Sequence, residues 1–454
     1  MLQAGGLSLL GLSTPILRTW QAATAAETGR SPRPHSCVFI FLFGGPSHID
    51  LWDMKPFAPL EIRGDFTSIE TAVPGIRICE HLPRLAQSMD KFCLLRSMTH
   101  NMNVHGPACS EIYSGREYFG PPITDQARPE DWPSLASLVM RFKPTLSGLP
   151  SSVVLPWYSQ FIGQDKRIAG QTGGRMGEQY NPFLVEGDPT KPDFEVEGVK
   201  LPGDVSLSRF GRRTELLEHV EDISTFRTPE SMSKVLDANY VTATQLVQRA
   251  QTSAAFSLSD EPAPVRERYG QTRFGQSLIM ARRLVEGGIP LVTVNWDDDT
   301  KYDKVSPQWD THHNNFQKLK DDLCPTFDQS FSAFLTDLDE RGLLETTMVV
   351  ALGEFGRTPN IGLITQNGMT QKTGRDHWPH AFTALAAGGP IRGGQVYGAT
   401  NATGGYVADK PVSPADLTAT ILSHLDVNPK LTYFDRFQNE ERHLSEGTVV
   451  DGLG

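Results

Sequence analysis

Carboxylate and imidazole side chains collect in four short polar stretches of the chain, mostly in its C-terminal third. They are GGPSHIDLWD with Ser47, His48, Asp50 and Asp53; WDDDTKYDKVSPQWDTHHNNF with Asp297–Asp299, Asp310, His312 and His313; GEFGRTP with Glu354 and Arg357; and GRDHWPHAF with Asp376, His377 and His380. Carboxylates and imidazoles from separate stretches suit zinc, manganese or another borderline divalent ion. The alternative is that these groups cap helices and hydrogen-bond loops.

The elements that must position these residues follow an α/β pattern. Four continuous apolar runs predict strands buried on both faces, namely Cys37–Phe43, Pro290–Asn295, Thr346–Leu352 and Ala381–Ala387. Helical patterns alternate with these runs, which predicts a mostly parallel sheet covered by helices on both faces. In such folds the site lies beyond the carboxyl ends of the strands. Three of the polar stretches follow a strand, and the fourth comes directly before the Ala381–Ala387 strand.

Two helical segments have clear sequence signatures. Between Phe316 and Leu338 apolar residues recur at steps of three and four, with Pro325 marking a helix start or a kink. Ser413 and Pro414 form a helix-start signature for the segment that runs to Leu425.

The domain organisation is predicted in three parts. Residues 1–27 contain an apolar stretch and a small-residue cleavage pattern, Ala23-Thr24-Ala25, which together predict the remnant of an export signal, of the twin-arginine type with its arginine pair upstream of this start. An apolar N-terminal helix packed on the body is the alternative. Residues 28–454 are predicted to form the α/β domain, with residues 121–264, rich in Pro, Gly and charge, as an insertion or cap.

Bulk composition narrows the possible partners. A net charge of −11 with no block of basic residues argues against nucleic acid or an anionic membrane as the main partner, and no segment predicts an integral membrane span. The five cysteines include no CxxC pair, which argues against a zinc ribbon or a thioredoxin-type centre. Buried thiols are favoured over one or two disulfides.

Six motifs resemble one family over nearly the whole chain. They read GGPSHIDLWDMKP, VHGPACSEIYSG, EPAPVRERYGQTRFGQSLIMARRLVEGGIPLVTVNW, WDTHHNNF, GEFGRTP and GRDHWPH. They are similar to the secreted sulfatase-like family catalogued as domain of unknown function fifteen-oh-one, in the alkaline-phosphatase and sulfatase-like superfamily. The resemblance implies a three-layer α/β sandwich, export to the periplasm or beyond, and metal-dependent hydrolysis of phosphate or sulfate esters. The activity of this family itself is not established.

The resemblance also shows where the chain departs from the superfamily pattern. Gly44-Gly45 stands where sulfatases have two aspartate metal ligands, and Phe355 stands where a histidine ligand is expected. In the segment HGPACSEIYSG, His105 falls at the nucleophile position and Cys109 at the position of an arginine. The residues that the resemblance leaves as metal ligands are Asp310, His312, Glu354, Asp376, His377 and His380.

Two functions follow as hypotheses. The first is an exported metal-dependent hydrolase of phosphate or sulfate esters on a saccharide or lipid. In it His105 acts as nucleophile, acid/base or ligand, Arg357 grips the anion, and Gly45, Ser47 and Asp50 bind substrate. The second is a non-catalytic exported binding protein with a degenerate metal site. A weaker third possibility is that aromatic residues of the insertion form a protein or glycan surface: Trp132, Trp157, Tyr158 and Tyr180.

Overall fold

The core of the protein, in a computed structural model, is one eight-stranded sheet. The structure describes residues 34–120, 127–145, 149–160, 167–196, 209, 212, 255–303, 305–365 and 374–453. The predicted export segment 1–27 lies outside them, and the predicted insertion 121–264 is described only in part. Contacts group His35–Gly454 into one compact unit.

The strands of the sheet are β1 Ser36–Phe41, β4 Phe92–Met98, β5 Ser152–Leu155, β6 Phe183–Leu184, β7 Leu291–Asn295, β8 Thr347–Leu352, β11 Phe382–Ala387 and β12 Gln395–Tyr397. Their order across the sheet is β12-β4-β11-β8-β1-β7-β5-β6. Every neighbouring pair is parallel except the two that involve β11, which runs antiparallel to β4 and to β8. The α/β fold with a mostly parallel sheet is therefore confirmed.

Short two-stranded pairs decorate this sheet. They are β2 Ser68–Glu70 with β3 Arg77–Cys79, β9 Gly356–Arg357 with β10 His377–Trp378, β13 Ala399–Thr400 with β14 Val407–Asp409, and β15 Thr432–Asp435 with β16 Glu440–His443. The β9–β10 pair matters for the site, because it brings Arg357 opposite His377.

Helices cover both faces of the sheet. The described helices are α1 His48–Leu51, α2 Leu60–Arg63, α3 Pro83–Gln87, α4 His105–Ser114, α5 Leu135–Phe142, α6 Ala263–Tyr269, α7 Arg273–Glu286, α8 Asn315–Lys318, α9 Cys324–Glu340 and α10 Pro414–His424. A π-helical turn, Leu319–Leu323, joins α8 to α9, and Pro325 lies in the first turn of α9. Ser413 and Asp416 form the capping box that starts α10. Among the described residues, no helix combines the length and the apolar composition that crossing a bilayer requires.

Two apolar cores result, one on each side of the sheet. Alternate residues of β1 face opposite layers: Val38 and Ile40 pack with α3, α7 and α9, whereas Phe39 and Phe41 pack with α4, α5 and α10. This alternation follows from the two-residue side-chain period of a strand. All five cysteines are buried and free, as favoured from the sequence.

The 121–264 segment does not form a layer separate from the sheet in its described part. Ser152–Leu155 (β5) pairs in parallel with β7, and Phe183–Leu184 (β6) pairs with β5. Part of the predicted insertion or cap therefore extends the main sheet to its edge. The domain boundaries themselves stay a prediction.

Candidate metal centre

The candidate site lies beyond the carboxyl ends of the parallel strands. Gly44 follows β1, Glu354 follows β8, and His105 begins the helix that follows β4. Since β11 runs in the opposite direction, the residues that precede it, including His377, lie at the carboxyl ends of the parallel strands. The antiparallel direction of β11 thus places His377 beside the loops that follow the parallel strands.

Three imidazoles converge on one carboxylate at these strand ends. The residues are His105, Asp310, His312 and His377, and one potential ligand atom from each lies within 4.8 Å of the others. The Nε2 atoms of the three histidines lie 3.2 Å (His105), 2.9 Å (His312) and 3.1 Å (His377) from the Asp310 carboxylate oxygens. A tetrahedral zinc site with bonds of about 2.0–2.1 Å has ligand atoms roughly 3.3 Å apart. The donor set therefore fits a borderline divalent ion.

The other ring nitrogen of each histidine has its own acceptor. Nδ1 of His105 lies 2.5 Å from the Glu354 carboxylate, and Nδ1 of His312 lies 3.3 Å from Asp376. Nδ1 of His377 lies 2.8 Å from the backbone carbonyl of Asn103. Metal-binding histidines usually donate their second ring N–H to a carboxylate or a carbonyl, which sets the tautomer and orients the ring. All three rings of the cluster follow this arrangement.

His377 carries the strongest argument for a cation. A neutral imidazole has one N–H, yet both of its nitrogens face acceptors, the Asn103 carbonyl and the Asp310 carboxylate. At one of the two contacts, the lone pair of a ring nitrogen must therefore face the lone pairs of an oxygen, which is repulsive unless a second proton or a metal ion lies between the two atoms. Burial and the positive charge of His105 lower the pKa of His377 to about 3, which opposes the proton.

The charges of His105 and Asp310 depend on each other. Burial disfavours the imidazolium, but the carboxylates of Asp310 and Glu354 outweigh burial and raise the pKa of His105 to about 9. The pKa of Asp310 lies well below its usual value, because the cationic His105 and Arg357 beside it outweigh burial. A metal ion would take the place of the His105 proton, since a ligand nitrogen must be deprotonated.

The Arg357 guanidinium is fully buried and directed at the protein itself. Its Nε donates to the Gly45 carbonyl at 2.9 Å, and Nη1 donates to the Arg375 carbonyl at 3.1 Å. Its Nη2 donates to the Asp310 carboxylate at 2.5 Å and to the Gly44 carbonyl. An anion would have to displace these acceptors, so the geometry differs from the anion grip expected from the sequence. Arg357 instead holds Asp310 in place.

The Gly44-Gly45 turn already binds an anion, which belongs to the protein. The backbone N–H of Gly44 donates to both oxygens of Glu354, at 3.0 and 3.1 Å, and the N–H of Gly45 donates to the carbonyl of Leu42 at 3.3 Å. The Glu354 carboxylate thus occupies the backbone N–H group of the turn that was expected to bind substrate, and the same carboxylate orients His105. Glu354 is thus placed behind a histidine, outside the cluster of potential ligand atoms.

Ser47 and Asp50 belong to a buried network beside the cluster. The Ser47 hydroxyl donates to Asp50 at 2.6 Å, and the Asp50 carboxylate accepts two hydrogen bonds from Arg375, at 2.7 and 2.8 Å. Asn315 donates to the same carboxylate at 2.9 Å. The network joins the loop after β1 to Arg375, which directly precedes Asp376 and His377 in the chain. The substrate contact expected of Ser47 and Asp50 stays a prediction.

His380 lies apart from the cluster. Its ring packs against Trp378, with ring centroids 5.0 Å apart, and stacks on Tyr406 at 5.5 Å. Of the residues predicted as metal ligands, the structure thus brings Asp310, His312 and His377 together, adds His105, and sets Glu354 and Asp376 behind ring nitrogens.

Aromatic rings form the apolar wall of the cluster. Phe355 stacks on His377 with ring centroids 4.3 Å apart and packs against His105 at 5.1 Å, and Phe43 stacks on His105 at 5.2 Å. In the sequence, a phenylalanine at the position of a histidine ligand indicates that a metal ligand has been lost. In the structure, Phe355 shields the imidazoles from water. The Asn103 carbonyl was also missed, because a backbone acceptor leaves no signal in residue type.

Several solved structures are similar to the chain over most of its length. A protein in the alkaline phosphatase superfamily from Vibrio parahaemolyticus has 10% identity and a TM-score of 0.41, covering 87% of this chain and 67% of that one. The PsFucS1 sulfatase from Pseudoalteromonas sp. has 13% identity and a TM-score of 0.37, covering 92% and 72%. The alkaline phosphatase of the Antarctic bacterium TAB5 has 12% identity and a TM-score of 0.41, covering 87% and 99%.

A comparison with curated proteins finds no match. One family model, described as a protein of unknown function (DUF1501), matches residues 34–453. This range contains the whole cluster with its outer carboxylates and aromatic wall, as well as the six motifs. The chain therefore belongs to the DUF1501 family, as its motifs predicted.

Proposed function

We propose that the protein is a metal-dependent hydrolase of phosphate or sulfate esters, with one divalent ion held by His105, Asp310, His312 and His377. The observation that carries this is the convergence of three Nε2 atoms on the Asp310 carboxylate, with an acceptor behind each ring. Resemblance to the sulfatase-like superfamily supports ester hydrolysis as the reaction class. Zinc and manganese suit the donor set, since imidazole and carboxylate ligands are common to both.

The chain's own residues supply orientation and exclude water. A divalent ion held by these four residues would have to accept the ester oxygen as an additional ligand; it would then polarise the ester and stabilise the negative charge that develops as water attacks and the alcohol leaves. Glu354 and Asp376 hold the rings of His105 and His312, and Arg357 holds Asp310. Phe43 and Phe355 form an apolar wall in which charge–charge interactions are stronger than in water. In this scheme His105 is a metal ligand, one of the three roles that its sequence position allowed.

Metal content tests the proposal most directly. Protein purified without chelator is expected to contain about one zinc or manganese ion per chain, measured by mass spectrometry. Asp310→Asn and His312→Ala should each lose most of it, because each removes a ligand. His380→Ala is the matched control, since His380 also comes from the GRDHWPH motif but lies outside the cluster. It should keep its metal.

Turnover separates the two functions predicted from the sequence. Metal-loaded protein is expected to hydrolyse p-nitrophenyl phosphate or p-nitrophenyl sulfate, and Asp310→Asn should not. Stoichiometric metal without turnover of either ester would favour the exported binding protein with a sulfatase-like fold. Protein that neither retains nor takes up zinc or manganese would overturn the metal site itself. Export by the twin-arginine route remains a prediction.

A further inference from the structure

A cleft of about 390 Å³ lies beside the cluster, also beyond the carboxyl ends of the parallel strands. It is lined by residues that follow four neighbouring strands: Phe43 after β1, Trp296 and Asp297 after β7, Trp157 after β5 and Glu186 after β6. Ligands of open α/β sheets bind outside these strand ends. The volume falls within the range of roughly 300–1,000 Å³ typical of small-molecule sites.

One aromatic ring separates the cleft from the cluster. Phe43 lines the cleft and also stacks on His105, with ring centroids 5.2 Å apart. Gln308, another lining residue, precedes Asp310 by two positions. A molecule bound in the cleft would therefore place one of its substituents within reach of the cluster.

Two aromatic side chains of the cleft are held by a lysine. The Nζ of Lys301 lies 4.9 Å from the ring centre of Trp157 and 5.4 Å from that of Tyr302. The same Nζ forms an ion pair with Asp297 at 2.6 Å. The backbone carbonyl of Trp157 accepts a hydrogen bond from Asn295 at 2.7 Å. Lys301 thus contacts both rings while it is paired with Asp297, and Tyr302 is 67% exposed.

The polar residues of the cleft discriminate among ligand classes. Asn295, Asp297 and Gln308 line it but are buried and already bonded within the protein. Gln160 and Glu186 also line it and are exposed, so covering these two side chains with an acyl chain would cost their hydration. A polyanion would meet two carboxylates and a single lysine that is already paired with Asp297. A neutral pyranose suits both features, since its C–H face stacks on an aromatic ring while its hydroxyls bond to the Gln160 amide and the Glu186 carboxylate.

We propose that this cleft binds neutral pyranose units of an oligosaccharide, with Trp157 and Tyr302 as stacking platforms. The inference rests on the proposed function, since the ester to be cleaved would be a substituent of the sugar that reaches the cluster past Phe43. It selects the saccharide from the two substrate classes expected from the sequence. It also assigns a role to Trp157, one of the aromatic residues of the predicted insertion.

The test measures binding and needs no turnover. Full-length protein as purified is examined by saturation-transfer NMR and calorimetry with four neutral tetrasaccharides: cellotetraose, xylotetraose, mannotetraose and maltotetraose. At least one should bind, and Trp157→Ala and Tyr302→Ala should each weaken binding by about tenfold or more. Phe434→Ala, which removes a half-exposed ring outside the cleft, should leave binding unchanged.

The outcome is separable from the fate of the proposed function, because sugar binding is measured directly, whereas the proposed function is tested by metal content and ester turnover. Tyr302→Ala keeps the test informative if Trp157→Ala does not fold, since the Tyr302 side chain is mostly exposed. Failure of all four sugars to bind would overturn the inference, as would binding that neither variant weakens. Stronger binding of decyl phosphate or AMP than of any sugar, sensitive to the same two variants, would assign the cleft to a lipid or a nucleotide and overturn it as well.

Discussion

At the scale of single residues, the carboxylates divide into two roles that residue type alone does not separate. Asp310 lies where three ring nitrogens converge, whereas Glu354 and Asp376 lie on the far side of two of the rings. All three are acidic residues near strand ends. Their roles differ because the imidazole ring has two nitrogens on opposite sides, and a carboxylate beside either one fits equally well.

Replacing Glu354 by Gln is expected to weaken metal binding about 10- to 100-fold without abolishing it. The amide keeps an acceptor for the Gly44 N–H but lacks the charge that fixes the His105 tautomer. Competition with a chromophoric chelator measures the affinity. Glu345→Gln, at an exposed position away from the cluster, is the control. An E354Q variant that loses metal as completely as D310N would show that Glu354 is itself a ligand.

At the scale of elements, the loop after β1 is shaped by close backbone approach. Gly44 has a φ of +110°, and a Cβ there would lie 2.2 Å from the backbone nitrogen of Asp310 and 2.6 Å from the carbonyl carbon of Trp309. The loop after β1 thus packs directly on the segment that carries Asp310. An aspartate of the superfamily type could not occupy position 44 without moving that segment.

Substituting Gly44 by Ala should therefore destabilise the protein by at least about 2 kcal/mol and reduce metal binding. Urea unfolding and metal content measure the two effects. Gly75→Ala is the matched control, because Gly75 also has a positive φ, +83°, but open space around its Cβ position. It should cost only the backbone strain, about 1 kcal/mol, and keep the metal. Equal effects of the two variants would show that the contact with Asp310 has no importance.

At the scale of the whole molecule, one buried acid is expected to make stability depend on pH. Burial raises the pKa of Glu111, in α4, to about 7. His100 donates through Nε2 to the Glu354 carbonyl at 2.6 Å, and its Nδ1 accepts the N–H of Met102 at 3.1 Å. Burial lowers the pKa of His100 to about 4, so this neutral ring, 3.4 Å from the carboxyl group, gives the Glu111 anion no compensating charge.

The folded protein thus retains the Glu111 proton between about pH 4.5 and 7, where the unfolded chain has lost it. The contribution of this group to the free energy of unfolding therefore falls as the pH rises through that window. Glu111→Gln removes the dependence: it should be nearly neutral at pH 4.5 and stabilise the protein by about 1–3 kcal/mol at pH 8. Urea unfolding at both values measures it. Glu61→Gln, at an exposed position, should show no such difference, and an E111Q effect that is the same at both values would contradict the prediction.

The sequence by itself determined the α/β class, the four central strands, the two helical signatures and the family. Continuous apolar runs and helical periodicity are local consequences of burial, so they can be read along the chain. It also identified Asp310, His312 and His377 as candidate site residues, because they lie in polar stretches that follow or precede buried strands, and the resemblance to the sulfatase-like family added His105.

Only the tertiary structure decided how those residues are used. The antiparallel β11 brings His377 to the carboxyl ends of the parallel strands, the Gly44 turn takes up Glu354, and Arg357 and Arg375 are held by acceptors from loops distant in sequence. Whether a charged side chain faces a partner, a ring nitrogen or an open cleft depends on contacts between segments up to about 300 residues apart. Residue type and spacing along the chain do not specify which distant segments come into contact. Only the folded chain therefore distinguishes metal ligands from the carboxylates that support them and from structural ion pairs.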